Sequence, residues 1–268
     1  MQAGARLIRT NTFATNTIAL SCDREAVAKN IKAACQAARR ASQKTEDTIY
    51  IAGDIGPLPE LRTMEAEDIY EEYRFLCDTF IAEGVSLLLF ETFANIEGIE
   101  QVICDVKEKN PEVFIAVQFC LNQHGYTETG LSAKRLLETV SKIKEIEAVG
   151  FNCGVGPGHL YRIMQHLEFP KDKYISALPN ASYPKNIQDR LVFMENMDYF
   201  LQKMQDISKL GIALLGGCCG TNPHYFEKLK QNMALVKTDK ENVPMHYDKE
   251  VCSQEAAHGF LSRKPAGE

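Results

Sequence analysis

The run Ser86-Leu87-Leu88-Leu89-Phe90-Glu91-Thr92-Phe93, followed by apolar residues at Ile96, Ile99, Ile103 and Val106, decides the fold class. Its first half is short and apolar on both faces, the pattern of a buried parallel strand rather than of one with a wet side. The spacing that follows puts the apolar side chains on one stripe of a helix. A buried strand leading directly into an amphipathic helix is half of a βαβ unit.

The same unit recurs along the chain. Strands are expected at Arg6–Thr10, Thr48–Gly53, Ser86–Phe90, Val113–Phe119, Ala148–Phe151, Tyr174–Ala177 and Ile212–Leu215, with helical patterns between them. Ile69, Tyr73, Leu76 and Phe80 form one such stripe, and Glu83-Gly84 and Leu210-Gly211 mark helix-to-strand turns. This alternation implies an α/β fold with a parallel sheet and right-handed crossovers. A closed (β/α)8 TIM-type barrel takes about 250 residues, so the 268-residue chain accommodates one, yet only seven βα units can be read from it. The barrel domain is placed at 1–236. The segment 237–268, with Lys237-Thr238-Asp239-Lys240-Glu241-Asn242 and later Pro244, Pro265 and Gly267, is expected to be a polar tail.

Thirty Lys+Arg against 36 Asp+Glu gives a net charge of −6, with no basic run to follow a phosphate backbone, so nucleic acid is not an expected partner. The start, Met1 to Thr10, has no apolar signal region, and the apolar runs are too short to span a bilayer. A cytoplasmic protein is expected, in which thiols stay reduced and clustered cysteines serve metal binding or catalysis. Of nine cysteines, Cys35, Cys77 and Cys104 fall in amphipathic helical patterns and read as core, while Cys22, Cys120 and Cys252 have no partner spacing.

In parallel α/β folds the site is built from the loops after the strands. Two such loops carry cysteine among glycines: Asn152-Cys153-Gly154-Val155-Gly156-Pro157 and Gly216-Gly217-Cys218-Cys219-Gly220-Thr221-Asn222-Pro223. Adjacent cysteines rarely pair with each other, so the three thiols are read as convergent ligands for one metal. Sulfur ligands favour tetrahedral zinc, and three of them leave one position open, as in a catalytic site. His159 and His224 lie in the first turn of the following helices and are not expected to be ligands. The competing reading is a glycine-rich phosphate turn at the helix start near Thr221, which would gain nothing from two adjacent thiols. Three anionic sulfurs acidify bound water less than neutral ligands do, so the open position suits a substrate thiol, which the metal deprotonates. Thiolate attack on an electrophilic carbon, and hence alkyl transfer to sulfur, is the reaction class expected.

The stretch Gly216-Gly217-Cys218-Cys219-Gly220-Thr221-Asn222-Pro223-His224 resembles the signature of the homocysteine S-methyltransferase family, and Asn152 to Pro157 resembles its companion motif. Thr10-Asn11-Thr12-Phe13 with Ile18-Ala19-Leu20, Gly53-Asp54-Ile55-Gly56-Pro57, Phe90-Glu91-Thr92-Phe93 and Ser176-Ala177-Leu178-Pro179-Asn180-Ala181 fit the same ordered pattern, from about Ala3 to Met233. The resemblance implies a (β/α)8 barrel in which Cys153, Cys218 and Cys219 bind Zn²⁺. Homocysteine thiolate then takes a methyl group from a donor to give methionine. It implies that Glu91 holds the substrate's amino group, with Asn11, Thr12 and Asn152 as polar contacts. Methylfolate, methylcobalamin, S-methylmethionine, S-adenosylmethionine and betaine all serve as donors within the family, and a donor carried on a cobalamin or reductase domain would act in trans. Members open with a strand and an Asp-Gly motif whose Asp contacts homocysteine. Nothing before Gln2 supplies it, so a barrel lacking its first strand and helix is expected. That expectation leaves open an impaired fragment, a zinc-binding subunit completed by a partner or oligomer, or a methyltransferase for a related thiol or selenol.

Overall fold

The computed structural model describes residues 2–59, 63–188, 190–193 and 196–236; the expected tail, 237–268, lies outside the described residues. The elements in chain order are β1 (Leu7–Arg9), α1 (Thr17–Leu20), α2 (Arg24–Ser42), β2 (Tyr50–Ile55), α3 (Ala66–Ala82), β3 (Leu87–Phe93), α4 (Glu100–Lys109), β4 (Phe114–Phe119) and α5 (Ala133–Val140). They continue with β5 (Ala148–Asn152), α6 (Pro157–Met164), β6 (Tyr174–Leu178), β7 (Pro184–Ile187), β8 (Arg190–Phe193), α7 (Met197–Ser208), β9 (Leu214–Leu215) and α8 (Pro223–Val236).

Seven strands form one parallel sheet in the order β1-β2-β3-β4-β5-β6-β9. These are the seven strands expected from the sequence, and they make an open half-barrel: among the described residues β1 and β9 do not pair with each other. The hairpin β7–β8 is antiparallel and separate from this sheet. It was not expected. Its strands are four residues each and expose Ile187 and Val192, and no Asn-Gly or Asp-Gly pair marks the turn.

The strands are apolar on both faces because each face has its own core. Leu88 and Phe90 of β3, Ile115 and Val117 of β4, and Val149 and Phe151 of β5 point outward into the helix layer, joining Val27, Ile31, Tyr73, Phe80 and Ile103. Their neighbours Leu87, Leu89, Phe114, Ala116 and Ala148 point inward, with Ala52 and Tyr174, into a second, smaller cluster flanked by Leu7 and Leu214. Helices α2, α5 and α7 start where short polar side chains cap them: Asp23 accepts from Ala26 N–H, Ser132 from Arg135 N–H and Asn196 from Tyr199 N–H.

Two residues beyond the inward apolar positions, the same faces become polar. Arg9, Asp54, Glu91, Gln118 and Ser176 take these positions in β1, β2, β3, β4 and β6, and in β5 Asn152 does so one pleat later, after Gly150. Midway up β5, the inward position is Gly150, in register with Ser176. A Cβ there would lie 2.1 Å from both the carbonyl oxygen and the hydroxyl of Ser176, so only glycine lets β5 and β6 approach as they do. Gly150→Ala should therefore destabilise the protein by roughly 1–3 kcal/mol or more through overpacking, seen as a lower denaturant midpoint with unchanged slope. A variant as stable as the parent would show that the strands can separate at no cost.

Candidate metal and substrate site

The two cysteine loops converge because β5 and β9 flank β6, and the segment after β6 is hydrogen-bonded to both. Asn180 N–H donates to the Val155 carbonyl at 3.0 Å, while its side-chain oxygen accepts from Cys219 N–H at 3.0 Å. Cys218 N–H donates to the Pro179 carbonyl at 2.8 Å and Ala181 N–H to the Cys219 carbonyl at 2.9 Å. Thr221 closes the second loop, its backbone N–H and hydroxyl both donating to the Cys218 carbonyl. In the first loop Cys153 sits in the left-handed region, φ 56°, and Gly154 follows at φ 65°. A side chain at Gly154 would meet the Leu121 carbonyl at 2.1 Å, so this sharp turn requires glycine.

The outcome is that the sulfurs of Cys153, Cys218 and Cys219 all lie within 4.8 Å of one another. Cys153 Sγ and Cys219 Sγ are 3.7 Å apart. A tetrahedral ion with metal–sulfur bonds of about 2.3 Å separates its sulfurs by roughly 3.8 Å, so the thiols fit a zinc-sized ion with little rearrangement. Cys219 is exposed and the other two are half-buried, which keeps the group open toward the mouth of the half-barrel. The eight described cysteines are free thiols.

Beside the thiols stands a buried carboxylate. Glu91, at the end of β3, is ion-paired to Arg9 of β1 and hydrogen-bonded to the Asp54 carboxyl of β2. Asn152 links this group to the thiols: its Nδ2 lies 3.3 Å from Glu91 Oε2, 2.8 Å from Thr92 Oγ1 and 4.0 Å from Cys218 Sγ. Its Oδ1 accepts from Thr92 N–H at 2.9 Å. Thr92 is a β-branched residue held at φ 69°, a costly conformation that this two-sided clamp stabilises.

The model of the homocysteine S-methyltransferase family matches residues 1–233. The chain belongs to that family. Among solved structures it is similar to the homocysteine methyltransferase MmuM from Escherichia coli. The metallated form aligns with TM-score 0.68 and 19% identity over 86% of this chain and 80% of that one, and the oxidized form with 0.69 and 20%. Active domain 2 of a thermostable chitinase from Pyrococcus furiosus aligns with TM-score 0.51 and 12% identity over 90% of this chain and 89% of that one. At these identities the alignments describe the fold.

Within this homocysteine S-methyltransferase chain, the structure brings Cys153, Cys218, Cys219, Glu91 and Asn152 together. Thr12 is buried nearby, but its hydroxyl donates to the Asp54 carbonyl at 2.7 Å and shares a 2.7 Å bond with Thr10, bracing β1 against β2. Asn11 is exposed beside it. His159 stacks edge-on against Tyr183 and His224 faces Glu227, and neither belongs to the cluster that could hold a metal. Three further residues join the site. Cys120, for which the spacing suggested no partner, places its thiol against Cys153. Arg9 and Asp54 supply a cation and a second carboxyl, each two residues past an inward apolar position of its strand.

Cys153 is held well below the usual thiol range by the thiols of Cys120 and Cys218 donating to it, whereas those two are pushed up by that same bond and by burial. Burial and the Cys153 thiolate likewise push Cys219 up. A metal would have to displace the protons of Cys218 and Cys219. Burial first, then the negative charge of Glu91, push the Asp54 carboxyl up to about 8, against the opposing pull of Arg9.

In the unfolded chain an Asp titrates near about 3.9. The folded state therefore binds an extra proton between about pH 4 and pH 8, so the contribution of Asp54 to stability is full below about pH 4 and lost as pH rises to about 8. Relative to Asp54→Asn, the parent should lose denaturant resistance across that window and hold level above it. Parallel pH profiles for the two proteins would assign the proton elsewhere.

Proposed function

We propose that this chain is a zinc-dependent homocysteine S-methyltransferase, moving a methyl group from a small-molecule donor to the homocysteine thiolate to give methionine. The observation that carries the proposal is the convergence of Cys153, Cys218 and Cys219 beside the buried Glu91, in a chain of this family. The three thiols supply three ligands and leave a tetrahedral ion one position for a fourth. A zinc ion there would supply Lewis acidity, holding a substrate thiol as thiolate at neutral pH. That the similar MmuM has been crystallised in a metallated form supports the assignment.

The chain's own residues bind and orient. The segment 179–181 fixes both cysteine loops, and Asn152 sets the direction of Glu91 while standing against Cys218. Glu91, with Asp54 beside it, offers negative charge for an ammonium group at a short distance from the sulfurs. A molecule bearing thiol and ammonium a few carbons apart, as homocysteine does, spans the two. In the transfer, the homocysteine sulfur forms the new bond to the methyl carbon as the carbon–donor bond breaks, and that electron pair leaves with the donor. The donor is one of methylfolate, methylcobalamin, S-methylmethionine, S-adenosylmethionine or betaine, free or delivered by a domain acting in trans. The setting expected for this chemistry is the cytoplasm. In the structure itself no described helix is long and apolar enough to cross a membrane.

A second reading is favoured by one observation. Among the described residues the sheet ends at β1 and β9, strands of three and two residues that each pair on one side only. A zinc-binding subunit whose half-barrel is completed by another chain would look the same.

The two readings separate in one assay: metal content together with methionine formation across the five donors. We expect one zinc per chain and turnover with at least one donor. One zinc and no turnover with any donor would favour the partner-completed subunit. Cys218→Ser should lose most of its bound zinc, and with it turnover by 100-fold or more (roughly 3 kcal/mol). Full zinc retention in that variant would overturn the three-thiolate site.

A further inference from the structure

Arg9 is the cation that the homocysteine reading leaves without a task. It ends β1 on the inward face, its neighbours Asp54 and Glu91 end the inward faces of β2 and β3, and the three strands are consecutive in the sheet. The guanidinium reaches Glu91 through Nη1 and lies near Asp54 and Cys218. Its side chain is 32% exposed while that of Glu91 is 6% exposed, so the outer edge of the guanidinium faces the opening from which a ligand arrives.

Two further features indicate that this group is built for exchange. Asp54 Oδ1 is buried and has no hydrogen-bond partner among the described residues, although an unpaired buried acceptor is expensive. Moreover, the group sets one guanidinium, that of Arg9, against the two carboxyls of Glu91 and Asp54. A zwitterion brings one carboxylate and one ammonium. Binding one therefore exchanges partners within the group.

We propose that Arg9 is the anchor for the α-carboxylate of the amino-acid substrate. In the free protein Glu91 holds the guanidinium. On binding, the guanidinium passes to the substrate carboxylate through its planar pair of N–H donors, while the substrate's ammonium takes its place on Glu91 and fills the vacant acceptor of Asp54. Asn152, touching Glu91 at 3.3 Å and Cys218 at 4.0 Å, places this amino-acid end next to the sulfurs. Arg9 thereby sets selectivity for α-amino-acid thiols over simple aminothiols. This inference rests on the homocysteine reading of the site.

The test uses the full chain loaded with Co²⁺, whose sulfur-to-metal charge-transfer band reports a thiol joining the metal. L-Homocysteine is titrated against 3-aminopropane-1-thiol, the same molecule without its carboxylate. The parent should bind homocysteine at least 10-fold more tightly than the analogue. In Arg9→Gln the homocysteine Kd should rise by about 10- to 100-fold, the range expected for a lost hydrogen bond to a charged group, while the analogue's Kd changes less than about 3-fold. Arg9→Lys, which keeps the charge and loses the fork, gives the same comparison with a smaller loss if Arg9→Gln does not retain the metal. Equal weakening of both thiols in either variant, or no change for homocysteine, overturns the assignment of Arg9. If neither thiol perturbs the band of the parent, the homocysteine reading itself fails, and the role of Arg9 with it.

Discussion

The carboxamide of Asn152 joins the two chemical halves of this site. One face of it bonds the backbone and hydroxyl of Thr92, its nitrogen contacts Glu91, and the same nitrogen stands against Cys218. A rigid amide with donors on one end and an acceptor on the other can do this only if the strands that carry its partners are fixed to within tenths of an ångström. That precision comes from the sheet: β3, β4 and β5 are successive parallel neighbours, with one register shift in β3 between Phe90 and Phe93, and the outward faces of all three are sealed under helices. The strained Thr92 shows the price of the arrangement, a conformation costing of order 1–3 kcal/mol that persists because its surroundings over-determine it.

The fold was legible in the sequence to the extent that burial wrote it there. The runs 87–90 and 114–117 are apolar at every position because both their faces are covered, one by helices and one by the other strands. The seven parallel strands could be placed on that pattern alone. The β7–β8 hairpin could not, since it lies outside the sheet and exposes Ile187 and Val192. Its pairing depends on a turn with no strong local signal.

The site was legible where residue type and spacing are unusual and opaque where they are ordinary. Three cysteines among glycines point to a metal whatever their surroundings. Arg9 and Asp54 read as a strand end and a loop, and Cys120 as an isolated thiol, because their meaning lies in which strand stands next to which. One signal was present in the primary structure all the same. The period of two that places Leu7, Ala52, Leu87 and Leu89 inward also carries Arg9, Asp54 and Glu91 inward, one pleat further on. Following the alternation past the last apolar residue of each strand would have gathered the carboxyl and guanidinium groups that stand beside the thiols.

The open sheet changes how such a site is held. In a closed barrel the interior side chains are braced around the whole ring. Here, among the described residues, the first strand has a strand partner on one side only, and its end is kept in place by the backbone bond from Thr10 N–H to the Ala52 carbonyl and by the hydroxyls of Thr10 and Thr12, which bond to β2. The two threonines hold the backbone of Asp54 without touching its carboxyl. The bracing of β1 is therefore separate from the charges that would meet a ligand. Arg9 can exchange its partner while Thr10 and Thr12 keep the strand where it is.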